Sequence, residues 1–259
     1  LLNYGSSDFL RDRGETAGDE DDRTLVDLLV DQIEFADTII LNKVSDASEE
    51  QLVAARKIIK SLNPDAIIME TDFSKVELKD VLGTNRFDFD KAHEHPLWYK
   101  ELNGFADHVP ETEEYGIRSF VYRARKPFDP VKLQAFINTT WPGVVRAKGF
   151  FWLATRPRYV GEISMAGAQV RTEKLGLWWA AAPKELWPED PQWHAAMEPY
   201  LDEVWGDRRQ EIVFIGTDPM SEAAIKKQLD DCLIQAPAFL PQLWENLSDP
   251  FPSWEKKLS

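Results

Sequence analysis

The sequence predicts two linked units, an α/β segment that forms part of a parallel sheet and then an α+β domain with an antiparallel sheet. Two short aliphatic runs, at 38–41 and 66–69, alternate with amphipathic helical patterns, which is typical of a parallel sheet covered by helices. Beyond residue 117 several strand patterns follow one another, with helical patterns after the first and the last of them. The predicted divisions are 1–83 for the first unit, 84–116 for a linker, 117–236 for the second unit and 237–259 for a Pro- and Trp-containing tail.

Composition sets the limits on function. The chain has 259 residues, enough for one large or two ordinary domains, and its 43% hydrophobic content supports sizeable cores. The net charge of −15 argues against nucleic acid or an anionic membrane as the main partner and is typical of a cytoplasmic surface. The single cysteine, Cys232, excludes an internal disulfide and a cysteine-based metal cluster. No apolar run approaches the roughly 20 residues that a membrane span needs.

The elements of the first unit follow from hydrophobic spacing and capping signals. Ser48, with Gln51 three residues later, is a capping box that predicts the start of a helix, and Asn63-Pro64 ends that helix. In order, we expect a helix at 24–35, a strand at 38–41, a helix at 48–62, a strand at 66–69 and a small helix at 75–82.

The first predicted strand ends in Asn42-Lys43, with Asp46 close behind. A strand that delivers Asn-Lys and an acid into the loop before a helix resembles the base-reading corner of a GTPase. In that corner the Asn braces neighbouring loops, the Lys stem covers the purine, and the acid accepts hydrogen bonds from guanine N1 and the exocyclic amine. Adenine lacks this donor pair, and leaving a buried polar group unpaired costs roughly 1–3 kcal/mol. The usual spacing is Asn-Lys-x-Asp, whereas here Ser45 occupies the acid position, so we predict that Asp46 faces the base.

The stretch 84–116 has scattered Gly, Pro and charges without a sustained period, which predicts a linker. It contains His93-Glu94-His95. Neutral imidazole is a good zinc ligand, so His93 and His95 are candidate metal ligands, although a strong site needs a third and a fourth ligand at fixed spacing. An ordinary interdomain loop is the alternative.

The second unit has its own pattern of strands and helices. Asp129 followed by Pro130 predicts an N-cap and a first helical residue. We expect strands at 117–124, 144–153, 159–165, 169–173, 177–181 and 211–216, helices after Asp129, at 193–205 with an interruption at Pro199, and at 221–233, and an extended tail packed by Trp244 and Trp254.

Basic and aromatic residues come together at 146–152, where alternation places Arg146 and Lys148 on one face of a strand. One interpretation is a surface for single-stranded nucleic acid, on whose rings the bases stack. The other, which the net charge favours, is an internal strand whose cations meet phosphate, a switch loop or acidic residues. Hydrolysis by the chain's own residues is poorly supported, because no serine lies in a nucleophile-elbow pattern and Cys232 falls in a predicted buried helix, where inertness is expected.

Several motifs taken together resemble the CobW family of GTPases, which includes zinc metallochaperones, cobalamin-synthesis proteins and nitrile hydratase activators. The similarity spans about residues 24–235, and the Arg-Ala-Lys-Gly run is its most specific part. The motifs are Leu41-Asn42-Lys43, Leu62-Asn63-Pro64-x-Ala66, Gly116-Ile117-Arg118-Ser119-Phe120, Arg125-Lys126-Pro127-Phe128, Gly143-Val144-Val145-Arg146-Ala147-Lys148-Gly149-Phe150-Phe151-Trp152 and Arg208-Arg209-Gln210-Glu211-Ile212-Val213-Phe214-Ile215-Gly216.

The resemblance implies a P-loop GTPase domain before an α+β domain, with GTP or GDP and Mg²⁺ as cofactors and metal, zinc above all, handed to a client metalloprotein. It assigns Asn42 and Lys43 to the base-reading motif, with Asp46 as the displaced acid. The phosphate-binding loop, the Cys-x-Cys-Cys motif and the Mg²⁺-binding segments are not in this sequence and are expected N-terminal to Leu1 or on a partner chain. We therefore expect this chain alone not to hydrolyse GTP. The alternative is a non-catalytic module that docks a client metalloenzyme through residues 117–235.

Overall fold

The computed structural model describes residues 24–87, 97–103, 116–236 and 238–254. Within these ranges, no helix combines the length and the apolar character that crossing a membrane would require.

The first unit has the predicted helix–strand alternation. Its helices α1 and α2 both begin with capping boxes, Thr24 with Asp27 and Ser48 with Gln51, so the local signals decide where they start. Strands β1 and β2 pair in parallel. The bounds are α1 Leu25–Phe35, β1 Thr38–Asn42, α2 Glu49–Leu62, β2 Ile67–Thr71 and α3 Leu78–Val81.

The last helix of this unit is shorter than the predicted 75–82, because the chain turns before it can become helical. Phe73 and Ser74 both have left-handed backbone conformations, with φ of 53° and 54°. The Thr71 hydroxyl donates to the Lys75 carbonyl at 2.8 Å, which closes that turn. Helix α3 therefore spans only Leu78–Val81.

The second unit is the predicted α+β domain. Its sheet has five antiparallel strands in the order β3-β7-β4-β5-β6. The elements are α4 Leu97–Asn103, β3 Arg118–Ala124, α5 Pro130–Ile137, β4 Val144–Phe151, β5 Tyr159–Ala166, β6 Gln169–Leu177, α6 Pro191–Met197, β7 Gln210–Gly216, α7 Glu222–Cys232 and α8 Pro241–Trp244.

Three sequence predictions for the second unit and the tail were wrong in detail. The strand expected at 177–181 is a 3₁₀ turn, Trp179–Ala181, because the Asp207 carboxylate accepts the backbone N–H groups of Trp179 and Ala180 and bends the chain. Instead, β6 runs on to Leu177. The helix expected at 193–205 is α6, which starts earlier at the Asp190 cap and gives way to a 3₁₀ turn at Pro199. The tail is not wholly extended, since it contains α8, whose Trp244 is buried.

Helix α4 lies within the stretch predicted to be a linker. Its Leu97 is buried against Val213 and Ile215 of β7, so this part of the stretch packs on the second unit's sheet. Seven residues are too few to display a helical period clearly, which explains why the sequence pattern missed it.

The two faces of the five-stranded sheet are covered differently. Helices α5 and α7 cover one face with an apolar, aromatic core that includes Phe120, Phe214 and Leu229. On the other face, apolar residues of β7 pack on α4, and Arg146 faces α1. The predicted alternation of Arg146 and Lys148 with Ala147 and Gly149 is confirmed, because only Ala147 of these belongs to the aromatic core and Arg146 points to the opposite side.

Strands β4 and β7 approach too closely at Gly149 for any side chain there. A Cβ atom at Gly149, whose φ is 157°, would lie 2.1 Å from the Glu211 carbonyl oxygen. The glycine of the Arg-Ala-Lys-Gly run is thus required by the pairing of the central strands.

Helices of the first unit pack on the second unit. Val26, Val30 and Leu62 form one buried cluster with Ala166 of β5. Beside it, Glu34 of α1 accepts a hydrogen bond from Arg146 Nε at 2.8 Å, with only 8% and 3% of the two side chains exposed. Burial raises the pKa of Glu34, and the Arg146 charge opposes that shift. Because the guanidinium also donates to Ser164 Oγ and the Met165 carbonyl, this buried pair is fully hydrogen-bonded.

Candidate nucleotide-base corner

The polar residues at 42–46 lie where β1 and β2 end side by side. Asn42, the last residue of β1, is in register with Thr71, the last residue of β2. The carboxyl ends of parallel strands are where open α/β sheets bind ligands. A 3₁₀ turn, Val44–Asp46, then leads the chain into the Ser48 cap of α2. We call this edge, formed by 42–46 and 72–75, the corner.

Two hydrogen-bonded links tie the halves of the corner together. The Asn42 side-chain oxygen accepts the backbone N–H of Ser74 at 2.9 Å. Ser45 donates to Asp72 twice, from its backbone N–H at 3.0 Å and from its hydroxyl at 2.8 Å, and both bonds reach Oδ1. The loop after β1 and the loop after β2 are therefore held as one surface.

The backbone of the corner is strained. Lys43, Phe73 and Ser74 all have positive φ angles without being glycine. Such conformations cost of order 1–3 kcal/mol each and cluster at functional sites. Phe73 is also 86% exposed, so its ring contributes little to any core and is available to a ligand.

An ion pair supports the corner from behind. Arg56 of α2 forms a forked pair with Glu70 of β2, in which Nη2 donates to Oε2 at 2.9 Å and Nε donates to Oε1. The hydrogen bonds from Arg56 lower the pKa of Glu70. The pair holds α2 against β2 at Glu70, two residues before Asp72. It therefore stabilises the elements that carry both segments of the corner.

The structure describes only some of the site residues predicted from the sequence. Asn42, Lys43 and Asp46 all lie in the corner and are exposed. Within the described part of the chain, the Asp46 side chain has no hydrogen-bond or ion-pair partner. His93 and His95 lie outside the described residues, so their metal role stays a prediction. Among the residues that the structure does describe, no group of three or more His, Cys, Asp or Glu side chains could hold a metal ion.

Asp72 is the residue of the corner that sequence reasoning missed. It follows directly after β2, at the same sheet edge as Asn42. The signal in the sequence was therefore the polar residue that follows β2, and it becomes visible only once β1 and β2 are known to be parallel neighbours.

The basic residues of strand β4 pair with other groups of this chain. Arg146 is buried against Glu34, and Lys148 lies 3.4 Å from Glu162 with its ammonium 4.6 Å from the centre of the Trp98 ring. Both cations thus meet groups of this chain, as the interpretation of an internal strand predicted. This leaves Arg146 unavailable to the phosphates of a nucleic acid.

The candidate nucleophiles are occupied in structural roles. Ser221 caps α7, and Ser164 accepts a hydrogen bond from Arg146. Cys232 is buried in α7, and burial raises the pKa of its thiol to about 11. At neutral pH such a thiol is protonated and a poor nucleophile.

This chain joins a polar corner at the ends of parallel strands, where open α/β sheets bind ligands, to an antiparallel α+β domain. Two family models match it: "CobW/HypB/UreG, nucleotide-binding domain" at residues 9–70 and "Cobalamin synthesis protein cobW C-terminal domain" at residues 117–233. The chain belongs to the CobW family.

Curated relatives agree with this membership. The chain is 41% identical over 256 residues to "Zinc-regulated GTPase metalloprotein activator 1" of Dictyostelium discoideum, covering 96% of this chain and 53% of that protein. It is 29% identical over 246 residues to a zinc chaperone of Mycobacterium tuberculosis, covering 90% of this chain and 56% of that protein. The chain therefore spans about half the length of these relatives. A solved structure of the Zn(II)-bound YjiA GTPase from E. coli aligns with a TM-score of 0.36 and 16% identity over 80% of this chain and 55% of that one.

Proposed function

We propose that this chain is part of a guanine-nucleotide-binding protein that couples GTP binding and hydrolysis to the delivery of zinc to a client metalloprotein in the cytoplasm. The observation that carries the proposal is the corner, where Asn42 and Ser45 lock the loops after β1 and β2 into one polar, exposed surface. Membership of the CobW family supports it, as do the names of two relatives, a zinc-regulated GTPase metalloprotein activator and a zinc chaperone.

In this proposal Asn42 braces the corner, and Lys43 lays its aliphatic stem against the purine. An acid next to Ser45 accepts hydrogen bonds from guanine N1 and the exocyclic amine, and Asp46 is the candidate that the sequence offers. The described residues suit the base of the nucleotide alone. They contain neither a phosphate-binding loop nor a metal-ligand cluster, so the described residues by themselves supply neither the hydrolytic step nor the metal transfer.

The second unit supplies the link between nucleotide and client. Helix α1, which runs directly into β1 of the corner, is buried on β4 and β5 through Glu34 and the Val26 cluster. A shift of the corner on nucleotide binding would therefore reach the antiparallel sheet through packed residues. The client contact is proposed to lie on this second unit.

A fluorescent GDP titration with Mg²⁺ tests the nucleotide half of the proposal. The full-length gene product should bind GDP tightly and ADP weakly, whereas residues 1–259 alone should bind GDP weakly. Asn42→Ala should lower the GDP affinity of the full-length product about tenfold, because the Ser74 N–H loses its acceptor. Asn138→Ala, a change of the same type in the second unit, is the matched control. Equal GDP affinity for the Asn42→Ala variant and the wild type would rule out the corner as the base site.

The delivery half is tested with Zn²⁺ and a zinc-chelating dye. Full-length protein loaded with Zn²⁺ should pass the metal to the dye at a rate that depends on GTP. A transfer rate that is the same with GTP, GDP and no nucleotide would separate zinc handling from nucleotide binding. That result, together with nucleotide-independent binding of a metalloenzyme by residues 117–235, would favour the non-catalytic docking module instead.

A further inference from the structure

We infer that Asp72 supplies the acid that reads the guanine base, in place of the acid missing from the position of Ser45. This inference rests on the proposed guanine-nucleotide function and names the specificity-determining residue of that same site. It differs from the sequence-based prediction, which gave the role to Asp46.

The first support is position. In the pattern Asn-Lys-x-Asp the acid stands three residues after Asn, and here that residue is Ser45. The Ser45 side chain has one uncharged hydroxyl oxygen where guanine N1–H and the exocyclic amine require a pair of acceptors. The backbone N–H and the hydroxyl of Ser45 both donate to one atom, Asp72 Oδ1, at 3.0 and 2.8 Å. A carboxylate from the loop after β2 is thereby fixed beside the place where the pattern requires one.

The second support is acceptor capacity. An ionised carboxylate has about four lone-pair sites on its two oxygens, and Ser45 uses two of them. In the described part of the chain, Asp72 Oδ2 has no hydrogen-bond partner. Asp72 therefore keeps enough free acceptor sites for the two donors on the guanine edge.

The third support is preorganisation. Asp72 precedes two consecutive left-handed residues, Phe73 and Ser74, and the Ser74 N–H is bound by Asn42. The Lys75 N–H donates to the Asp72 carbonyl at 3.2 Å, which closes the same turn. A side chain held in this way loses little freedom when it binds a ligand, whereas the Asp46 side chain has no such restraint among the described residues.

The inference can be tested by asking whether a substitution at Asp72 changes the preference of the site from guanine to xanthine. Guanine presents N1–H and an amine at C2, whereas xanthine presents N1–H and a carbonyl at C2. An amide at position 72 whose oxygen keeps the two bonds from Ser45 would turn its NH₂ group toward the base, where it opposes the guanine amine and donates to the xanthine carbonyl. Asp72→Asn in the full-length gene product should therefore lower the affinity for GDP about 10- to 100-fold and raise that for xanthosine diphosphate by a similar factor.

Three further variants make the titration decisive. Asp46→Asn shows whether the sequence-predicted acid reads the base instead. Asp80→Asn, a nearby change on α3, is the matched control and should leave the GDP to xanthosine-diphosphate ratio unchanged. The exchange Ser45→Asp with Asp72→Ser returns the acid to the usual position while keeping a donor opposite it. This exchange should retain guanine selectivity, and it provides the test if Asp72→Asn does not fold, as monitored by circular dichroism.

The outcomes separate the inference from the function on which it rests. A selectivity switch with Asp72→Asn and none with Asp46→Asn supports the inference. A switch with Asp46→Asn alone, or tight GDP binding that survives Asp72→Asn unchanged, overturns it and leaves the proposed function in place. If the wild-type full-length product discriminates between neither GDP and ADP nor GDP and xanthosine diphosphate, the proposed function fails, and the inference fails with it.

Discussion

The two faces of the five-stranded sheet are buried by different kinds of interaction. Under α5 and α7 the face is dry and aromatic, with the rings of Phe120 and Phe214 stacked 5.1 Å apart. The face toward the first unit also excludes water, but it places the Arg146–Glu34 pair beside its apolar residues.

The two kinds of burial have different roles: one drives the folding of the second unit, and the other determines how the first unit docks on it. Apolar burial is favourable and non-directional, so the aromatic face makes the domain compact without fixing what packs on it. A buried ion pair gains little net stability but penalises any arrangement that leaves one partner alone. We therefore interpret the aromatic face, under α5 and α7, as the core of the second unit. The charged face, where Arg146 pairs with Glu34, determines how α1 and the corner that follows it are positioned on that unit.

The largest expected effect is loss of the aromatic core. Phe214→Ala should lower the free energy of unfolding by about 3–5 kcal/mol, because Phe214 is fully buried and its truncation leaves a cavity in the core. Phe35→Ala, at a ring that is 50% exposed, is the matched control and should cost about 1 kcal/mol or less. Urea unfolding followed by circular dichroism measures both variants. Similar losses for the two would mean that the aromatic face does not dominate stability.

The next effect is at the charged face. Glu34→Ala should cost about 3 kcal/mol, at the low end for a broken buried pair, because Ser164 and the Met165 carbonyl still bind Arg146. Glu34→Leu combined with Arg146→Met should be nearly neutral, since no charge is then left buried. Urea unfolding gives the free energies, and hydrogen exchange of α1 reports the docking.

Substitutions at the two faces should also differ in which helices show faster hydrogen exchange. Glu34→Ala should speed hydrogen exchange in α1 more than in α7, whereas Phe214→Ala should speed it in both. If Glu34→Ala affects α1 and α7 equally, the pair supports the whole domain and the division between the two faces is mistaken.

Much of the fold could be predicted because its signals are local. The Ser48 capping box and the Asp129-Pro130 start fix helix ends through atoms within three residues. The alternation that places Arg146 opposite Ala147 likewise depends only on neighbouring residues of one strand. The turn at Trp179 could not be predicted, because it depends on a carboxylate 28 residues away, that of Asp207.

The candidate site shows the same limit. Asn42 and Lys43 are recognisable from one short stretch, but the partner of Ser45 lies 27 residues further along, in the loop after β2. Only the parallel register of β1 with β2 brings Asp72 to the corner. A pattern read along one strand therefore points to the nearest acid, Asp46, whereas the hydrogen bonds of the folded chain point to Asp72.

The smallest expected effect tests whether the charged face also holds α4. The Lys148 ammonium lies over the Trp98 ring of α4 and near Glu162, so Lys148→Met should cost about 1 kcal/mol and loosen α4 selectively. Lys174→Met is the matched control, because Lys174 covers Tyr159 at 4.4 Å without touching α4. Hydrogen exchange of 97–103 distinguishes them. Faster exchange there for Lys148→Met but not for Lys174→Met would place α4 with the charged face, and equal exchange would mean that α4 is held by its other contacts, such as buried Leu97 and the Lys100–Asp65 pair.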